Sequence, residues 1–437
     1  MVENNSTSWW LKTHKPGWQL NILRQPPWHA LRELNAGLTT LVTMVYAVIV
    51  NPVILAHAGI PMTISFYGTC MTTALACLLM GVWGKSPLVI GPSMALNGYF
   101  ITHLVHKFNG DWQQALCAVF LSGICLIIAA LMHWPQRIRE ALPQPIIQAT
   151  SIGIGLLIAH VAFLSANIGS VFSLKNINVA NVLGISLSAG LMWLGERWRI
   201  RGHALIAILL SFFIVHCIWP TAIGLSLHTS TSHHISGWLN ITQWSIVIMN
   251  AFVLAFLVIF DSTSTVLAIT EKTAIAKNPQ FNQQKRITLI INGLSTMLGA
   301  VMGITNMGVY FEGAAGIAAK GQSGWVAIIV AVGFLACLAF APYLTMIPTA
   351  IPAGVLLVIA LKITQPIWQI DWRYWRSSIP VSITIVSIPF TGAIADGIAF
   401  GLITYLGLNR KDSHIQKKHW LICACLIGYL ILSKGIT

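Results

Sequence analysis

Apolar runs of about 20 residues, separated by short loops that hold most of the Lys and Arg, recur from one end of this chain to the other. A run of that length and polarity has few options. In lipid every backbone N–H and C=O must find a partner within the protein, which leaves helices and closed barrels, and long unbroken apolar runs exclude the alternating pattern of a barrel. Composition points the same way: 56% of the 437 residues are hydrophobic and 8% are charged, where a soluble domain carries about a quarter charged. The formal charge of +14 does not indicate nucleic acid, because the basic residues sit in short loops as the positive-inside rule expects. Nearly all of the eight cysteines lie within apolar runs without a C-x-x-C pair and read as packing residues. The expected class is an all-α polytopic membrane protein embedded in a lipid bilayer.

Spans one to four are expected at about 36–57, 64–84, 88–106 and 113–133, and five to seven at about 145–166, 178–196 and 203–220. Spans eight to twelve follow at about 244–270, 287–303, 305–319, 324–345 and 349–363. Two short spans around Thr391-Gly392 cover 379–391 and 393–408, and 419–434 is a last apolar run. The chain divides into a cytoplasmic N-terminal arm (1–35), a first half (36–220), an extracytoplasmic connector (221–243), a second half (244–408) and a tail (409–437). Inside loops hold Lys85, Arg137, Arg139, Arg197, Lys272, Lys285, Lys320, Lys362, Arg373 and Arg376, whereas outside loops hold Lys107 and Lys175. A weak internal repeat supports inversion of the halves. Leu142-Pro143-Gln144-Pro145-Ile146 opens span five, Ile347-Pro348-Thr349-Ala350-Ile351-Pro352 opens span twelve, and each half has a glycine-interrupted third span, at 91–100 and 308–317.

Only eleven residues are acidic, and three lie deep in apolar sequence: Asp261, Glu312 and Asp396. A charge in hydrocarbon costs several kcal/mol, so intramembrane acids persist where they act or where they tie helices together. Glu312 stands in TNMGVYFEGAAGIAAK (305–320), too rich in glycine for an even helix and too apolar for a surface loop. Irregular backbone at membrane depth is tolerated where it lines an enclosed cavity, the arrangement of central sites in carriers. Asp261 is followed by Ser262, Thr263, Ser264 and Thr265, and Thr265 lies one turn on, on the same helical face. Asn97 is a lone amide in GPSMALNGYF, able either to read a ligand or to join two helices. Tyr99, Phe100, Tyr310 and Phe311 flank the two interruptions, where a ring can stack on a base or simply pack.

These segments together resemble the azaguanine-type purine permeases of the nucleobase transporter family. TTLVTMVYAVIVNPVILAHAGIP (39–61) is similar to that family's first-span signature, and GPSMALNGYF is similar to its GPGMGLNAYF. VIFDSTSTVLAITEK (258–272) resembles its FDTIGTLIGVAEK, and NMGVYFEGAAGIAAKGQSG (306–324) resembles its TTYIESAAGIAAGGRTG. The stretch 379–405 resembles its penultimate region, so the likeness runs in order from about residue 36 to 408.

The resemblance implies the uracil-permease-like fold, with about 14 transmembrane segments as two inverted seven-span repeats. Spans one to four and eight to eleven would form a core, and spans five to seven and twelve to fourteen a gate. Short extended breaks are implied in spans three and ten. It implies a secondary transporter of the cytoplasmic (inner) membrane, with its N-terminus inside, importing adenine, guanine or hypoxanthine by alternating access. Coupling to protons is implied, with sodium as the alternative ion, and so is a homodimer. The substrate-binding set would be Asp261, Glu312, Thr265, Asn97, Tyr310 and Phe311, with Asp261 and Glu312 also carrying the proton. No cofactor, metal or catalytic residue is expected. The chain departs from the family pattern at Ser93, Ala95 and Gly98 in span three, Ser264 in span eight and Gly313 in span ten, which bears on cargo more than on fold. Rival readings are a same-fold carrier of pyrimidines, xanthine, urate or anions, an intramembrane enzyme, and a non-transporting membrane sensor. The enzyme lacks an H-E-x-x-H or G-x-G-D signature.

Overall fold

The computed structural model describes residues 27–108, 110–132, 143–165, 179–198, 200, 202–218, 244–270, 281–340, 348, 350–391 and 394–409. The connector at 221–243 and the last apolar run at 419–434 lie outside the described residues.

The described residues are helical almost throughout. The first span is two helices, α1 (Pro27–Met44) and α2 (Ala47–Ala56), with a turn at Val45 and Tyr46 between them. The expected arm at 1–35 therefore ends earlier, since α1 already runs from Pro27. α3 (Met62–Leu79) widens into a π turn at Met80–Gly84. Next come the strand β1 (Ile90–Pro92) and α4 (Met94–Tyr99), which continues through Phe100–Leu104 and Val105–Lys107. The first half goes on with α5 (Trp112–Leu131), α6 (Gln144–Ser165), α7 (Val179–Arg197) and α8 (His203–Ile218). The second half has α9 (Trp244–Thr270), α10 (Phe281–Val301), the strand β2 (Met307–Val309), α11 (Gly313–Ala318) and α12 (Trp325–Cys337). It closes with α13 (Ala350–Ile363), α14 (Trp375–Thr391) and α15 (Ile394–Leu408). Among the described residues, six helices are long and apolar enough to cross a membrane, from Ala30–Ala56 to Ala350–Gln369.

The packing sorts these helices into two groups. In one, α5 lies against α10 and α9, and α12 lies against α1 and α3. In the other, α6 packs on α13 and α14, α7 on α13 and α8, and α14 on α15. The groups touch more sparsely, chiefly where α4 meets α6. The ends of α7 and α13 are joined by Lys362 and Glu196, 3.1 Å apart. Asp111, expected only as a loop acid, caps α5 by accepting hydrogen bonds from the backbone N–H groups of Gln113 and Gln114 at 2.9 and 3.3 Å. Six cysteines, Cys70, Cys77, Cys117, Cys125, Cys217 and Cys337, are free thiols, as their apolar settings imply.

The two strands are where the helical rule is suspended. Pro92 has no N–H to give a helix, and Gly91 and Gly308 weaken helix on either side, so both segments extend. Extended backbone deep in an apolar body needs a partner, and each strand is the other's. β1 and β2 pair antiparallel, with Ile90 opposite Val309, Gly91 opposite Gly308 and Pro92 opposite Met307. The pairing is lengthened by Ser93 N–H donating to the Asn306 carbonyl at 2.9 Å and by Tyr310 N–H donating to the Val89 carbonyl at 3.0 Å. All six strand residues are buried.

Candidate functional site

The β1–β2 pair has one of the two acids on each of two neighbouring elements, α9 and the entry to α11. Asp261, on α9, accepts a hydrogen bond from the Ser93 hydroxyl at 3.3 Å, just beyond the end of β1. Gly308 in β2 lies against the same pair: a Cβ there would stand 3.3 Å from the Ser93 Cβ and 3.4 Å from Asp261 Oδ2. Gly308 thus lies in close contact with both Asp261 and Ser93, with little room for a side chain larger than a methyl. Glu312 follows β2 by three residues, at the entry to α11, and Tyr46 donates its hydroxyl to Glu312 Oε1 at 2.6 Å. Both carboxylates are half-buried rather than sealed in. Tyr310 is buried, and its hydroxyl donates to the Pro92 carbonyl at 2.9 Å, tying β2 to β1 a second time.

The other expected site residues divide. Thr265 is half-buried, one turn on from Asp261. Phe311 is 63% exposed, the most open side chain of the set, and is the ring free to meet a ligand or a lipid. Asn97 is fully buried and committed: its amide donates to Asn51 Oδ1 at 2.5 Å, and its carbonyl accepts from the Thr305 hydroxyl. Asn51 in turn donates to Thr69 Oγ1 at 2.7 Å. Asn97 thus ties span three to spans one and ten, and through Asn51 to span two. Asp396 does not join the cluster. It is buried in the first turn of α15, within electrostatic reach of Lys107 at the far end of span three.

Sequence reasoning missed the partners. Tyr46 interrupts an apolar run at the turn between α1 and α2, and that polar atom in a broken helix was the available signal. Glu33, expected in the N-terminal arm, is buried in α1. It accepts hydrogen bonds from the N–H groups of Gln322 and Ser323 at 3.0 and 3.3 Å and from the Ser323 hydroxyl at 2.8 Å. Between these two levels Gly316 packs so closely on Thr40 and Ala36 that a Cβ would collide with both. The first span therefore grips the segment from Glu312 to Ser323 directly, through Tyr46, Thr40 and Glu33, and reaches Thr305 by way of Asn51 and Asn97. The remaining polar atoms of the strand region are tied into the core: Asn306 donates to Ser122 Oγ at 2.7 Å, Met307 N–H to Thr296 Oγ1 at 3.1 Å, and Asn292 to Ser262 Oγ at 2.7 Å. Chemically, the site offers two carboxylates, a threonine and an open ring at the margins of a rigid strand pair.

Known proteins with similar sequences and folds are carriers. Residues 31–400 match the family model Xan_ur_permease, described as "Permease family". The chain is 30% identical over 418 residues to the guanine/hypoxanthine permease PbuO of Bacillus subtilis, covering 92% of this chain and 96% of that one. It is 27% identical over 424 residues to the adenine permease AdeP of Escherichia coli, covering 94% of each. Among solved structures, the transmembrane domain of a cyanobacterial bicarbonate transporter, BicA, superposes with a TM-score of 0.63 at 18% identity, over 87% of this chain and 98% of that domain. That last likeness concerns the fold.

Proposed function

The chain belongs to the Xan_ur_permease permease family, a family of membrane transport proteins, and from that premise we propose that it carries a purine nucleobase across the cytoplasmic membrane. The observation that carries this reading is the placement of Asp261 and Glu312 at the margins of the β1–β2 pair, each with a hydroxyl partner and each half-buried. A planar base bears several N–H donors on its rim. Carboxylates are acceptors when ionised, and two of them bordering one rigid strand pair can hold such a rim from two sides. The similarity to a guanine/hypoxanthine permease and to an adenine permease favours a purine among the cargoes this fold can take. A bicarbonate carrier shares the fold, but an inorganic anion is repelled by two acids, so the anion reading is the weaker one.

Transport proceeds, in this proposal, by alternating access with proton symport. The group containing α5, α9, α10 and α12 is the core that carries the site, and the group containing α6, α7, α13 and α14 is the gate against which it moves. The about 14 spans form two inverted repeats, 36–220 and 244–408, and β1 and β2 are the counterpart breaks of the two. The proton is carried, in this reading, by Asp261 or Glu312, whose hydrogen-bond partners are hydroxyls rather than cations. The N-terminus is cytoplasmic and the carrier a homodimer. Glu33 contacts the loop after Lys320, and Lys362 contacts Glu196, so that in each of two separate pairs the partners expected near the inner face meet, which supports that orientation.

The test is uptake of radiolabelled adenine, guanine and hypoxanthine by cells that express the chain and lack their own purine carriers. Saturable uptake, abolished by Asp261→Asn and by Glu312→Gln and collapsed by a protonophore, is expected. Normal membrane levels without uptake of any of the three bases would overturn the proposal.

A further inference from the structure

Ser93 stands at the first position of a helix, where a serine ordinarily turns its hydroxyl back to accept a backbone N–H of the next turn. It does not do so here. No side-chain cap bond is made to α4, although the Ser93 carbonyl accepts from Asn97 N–H at 3.0 Å as the helix begins. The hydroxyl instead donates to Asp261 Oδ2 at 3.3 Å. Forgoing a cap weakens the start of a helix, so the hydroxyl's orientation is set by the acid. Three features converge at that point: the uncapped serine, the acid on a different helix, and Gly308, whose missing side chain leaves room for both. Ser93 is itself buried, whereas Asp261 stays half-open. The only hydrogen bond the described residues give the Asp261 carboxylate is this one, so Oδ2 is engaged and Oδ1 is left to a ligand.

We infer that Ser93 is a specificity-determining residue of the carrier, acting through Asp261 by restricting that acid to a single-donor grip on the base. This rests on the purine reading above. A carboxylate with both oxygens free suits two adjacent N–H donors side by side. With Oδ2 taken by a hydroxyl, the advantage of a second donor is diminished. Hypoxanthine and guanine separate these cases: both carry N1–H beside a 6-oxo group, and guanine adds the 2-amino group next to N1. The wild-type site accordingly gains little from the 2-amino group, and loss of the Ser93 hydroxyl restores that gain. The residue is a positioning one, since its effect reaches the base through the acid.

The experiment measures, in cells expressing the full chain, inhibition of radiolabelled hypoxanthine uptake by unlabelled guanine and by unlabelled hypoxanthine, for wild type, Ser93→Ala and Ser93→Gly. The ratio of the two affinities is read within one preparation, so it is insensitive to how much protein reaches the membrane. Both variants are expected to raise the preference for guanine over hypoxanthine by about tenfold, the lower end for one further hydrogen bond to an acid. An unchanged or lowered ratio in both would overturn the inference, and a rise in the Gly variant alone would assign the effect to the Cβ and overturn it equally. If wild type takes up neither base, the carrier reading itself fails, a result distinct from purine uptake with an unaltered ratio.

Discussion

The two acids reach the same strand pair by opposite routes. Asp261 rides on α9, a helix of 27 residues without a break, so its backbone position is fixed by the helix and its carboxylate is held by Ser93. Glu312 sits where the chain passes from β2 into the six-residue α11, and so short a helix cannot fix a side chain by itself. Its position is supplied from outside by the first span, through Tyr46 at Glu312 and Glu33 at the loop beyond α11. An acid on an unbroken helix is a fixed point, whereas an acid on a clamped half-helix moves if the clamp does. In the proposed carrier this makes a division of labour, with Asp261 assigned to what is bound and the Glu312 side to conformation.

The sharpest way to break the comparison is at Gly308, which faces the fixed acid. Gly308→Val places a branched side chain against Ser93 and Asp261 Oδ2, within the 3.3–3.4 Å already measured for a bare Cβ. Base uptake is expected to fall by roughly 100-fold or more, the scale of overpacking a rigid site by about 3 kcal/mol, and an uptake assay on membranes of matched content checks it. Tyr46→Phe removes the hydroxyl partner of Glu312 while keeping the ring. The apparent KM for the base is expected to rise about tenfold, the lower end for a hydrogen bond to a charged group, with Asp261-dependent guanine preference unchanged. A shift in that preference would show that the two acids are not independent.

The smaller effects concern stability. Asn97→Ala leaves the Asn51 amide and the Thr305 hydroxyl without their partner in a dry region, and a loss of about 1–3 kcal/mol is expected, read as a lower Tm in detergent. Because Asn97 joins helices, the relative affinities for purines should stay the same in that variant. Glu33→Gln retains an acceptor for the loop before α12 but gives up its charge, at a cost of about 1 kcal/mol. Thermal melting of the purified variant checks the size, and a raised KM without a change in Asp261-dependent selectivity would confirm that the clamp serves the Glu312 side.

How much of this could be read in the chain follows the same line. The acids were legible because a carboxylate in an apolar run is expensive, and the breaks because Gly91, Pro92 and Gly308 interrupt runs that would otherwise be helix. The membrane class and the helical character of the longer apolar runs follow from length and polarity alone. The pairing of β1 with β2 joins residues more than 200 positions apart, and no local pattern specifies it. The same is true of Tyr46 with Glu312 and of Glu33 with Ser323. Ser93 was visible as a departure from a glycine, yet its position after Gly-Pro reads locally as a helix cap, and only the approach of α9 turns it to Asp261. Asn97 shows the converse: a lone amide fits either role, and its neighbours from spans one and ten decided for structure.

The most direct test of the central claim is equilibrium binding of radiolabelled hypoxanthine to the purified chain and to its Asp261→Asn and Glu312→Gln variants. Saturable binding to the wild type, lost in Asp261→Asn and weakened or lost in Glu312→Gln, is the result expected of a purine held at the strand pair between two acids. Undiminished binding to both variants would place the base elsewhere in the molecule and contradict the account.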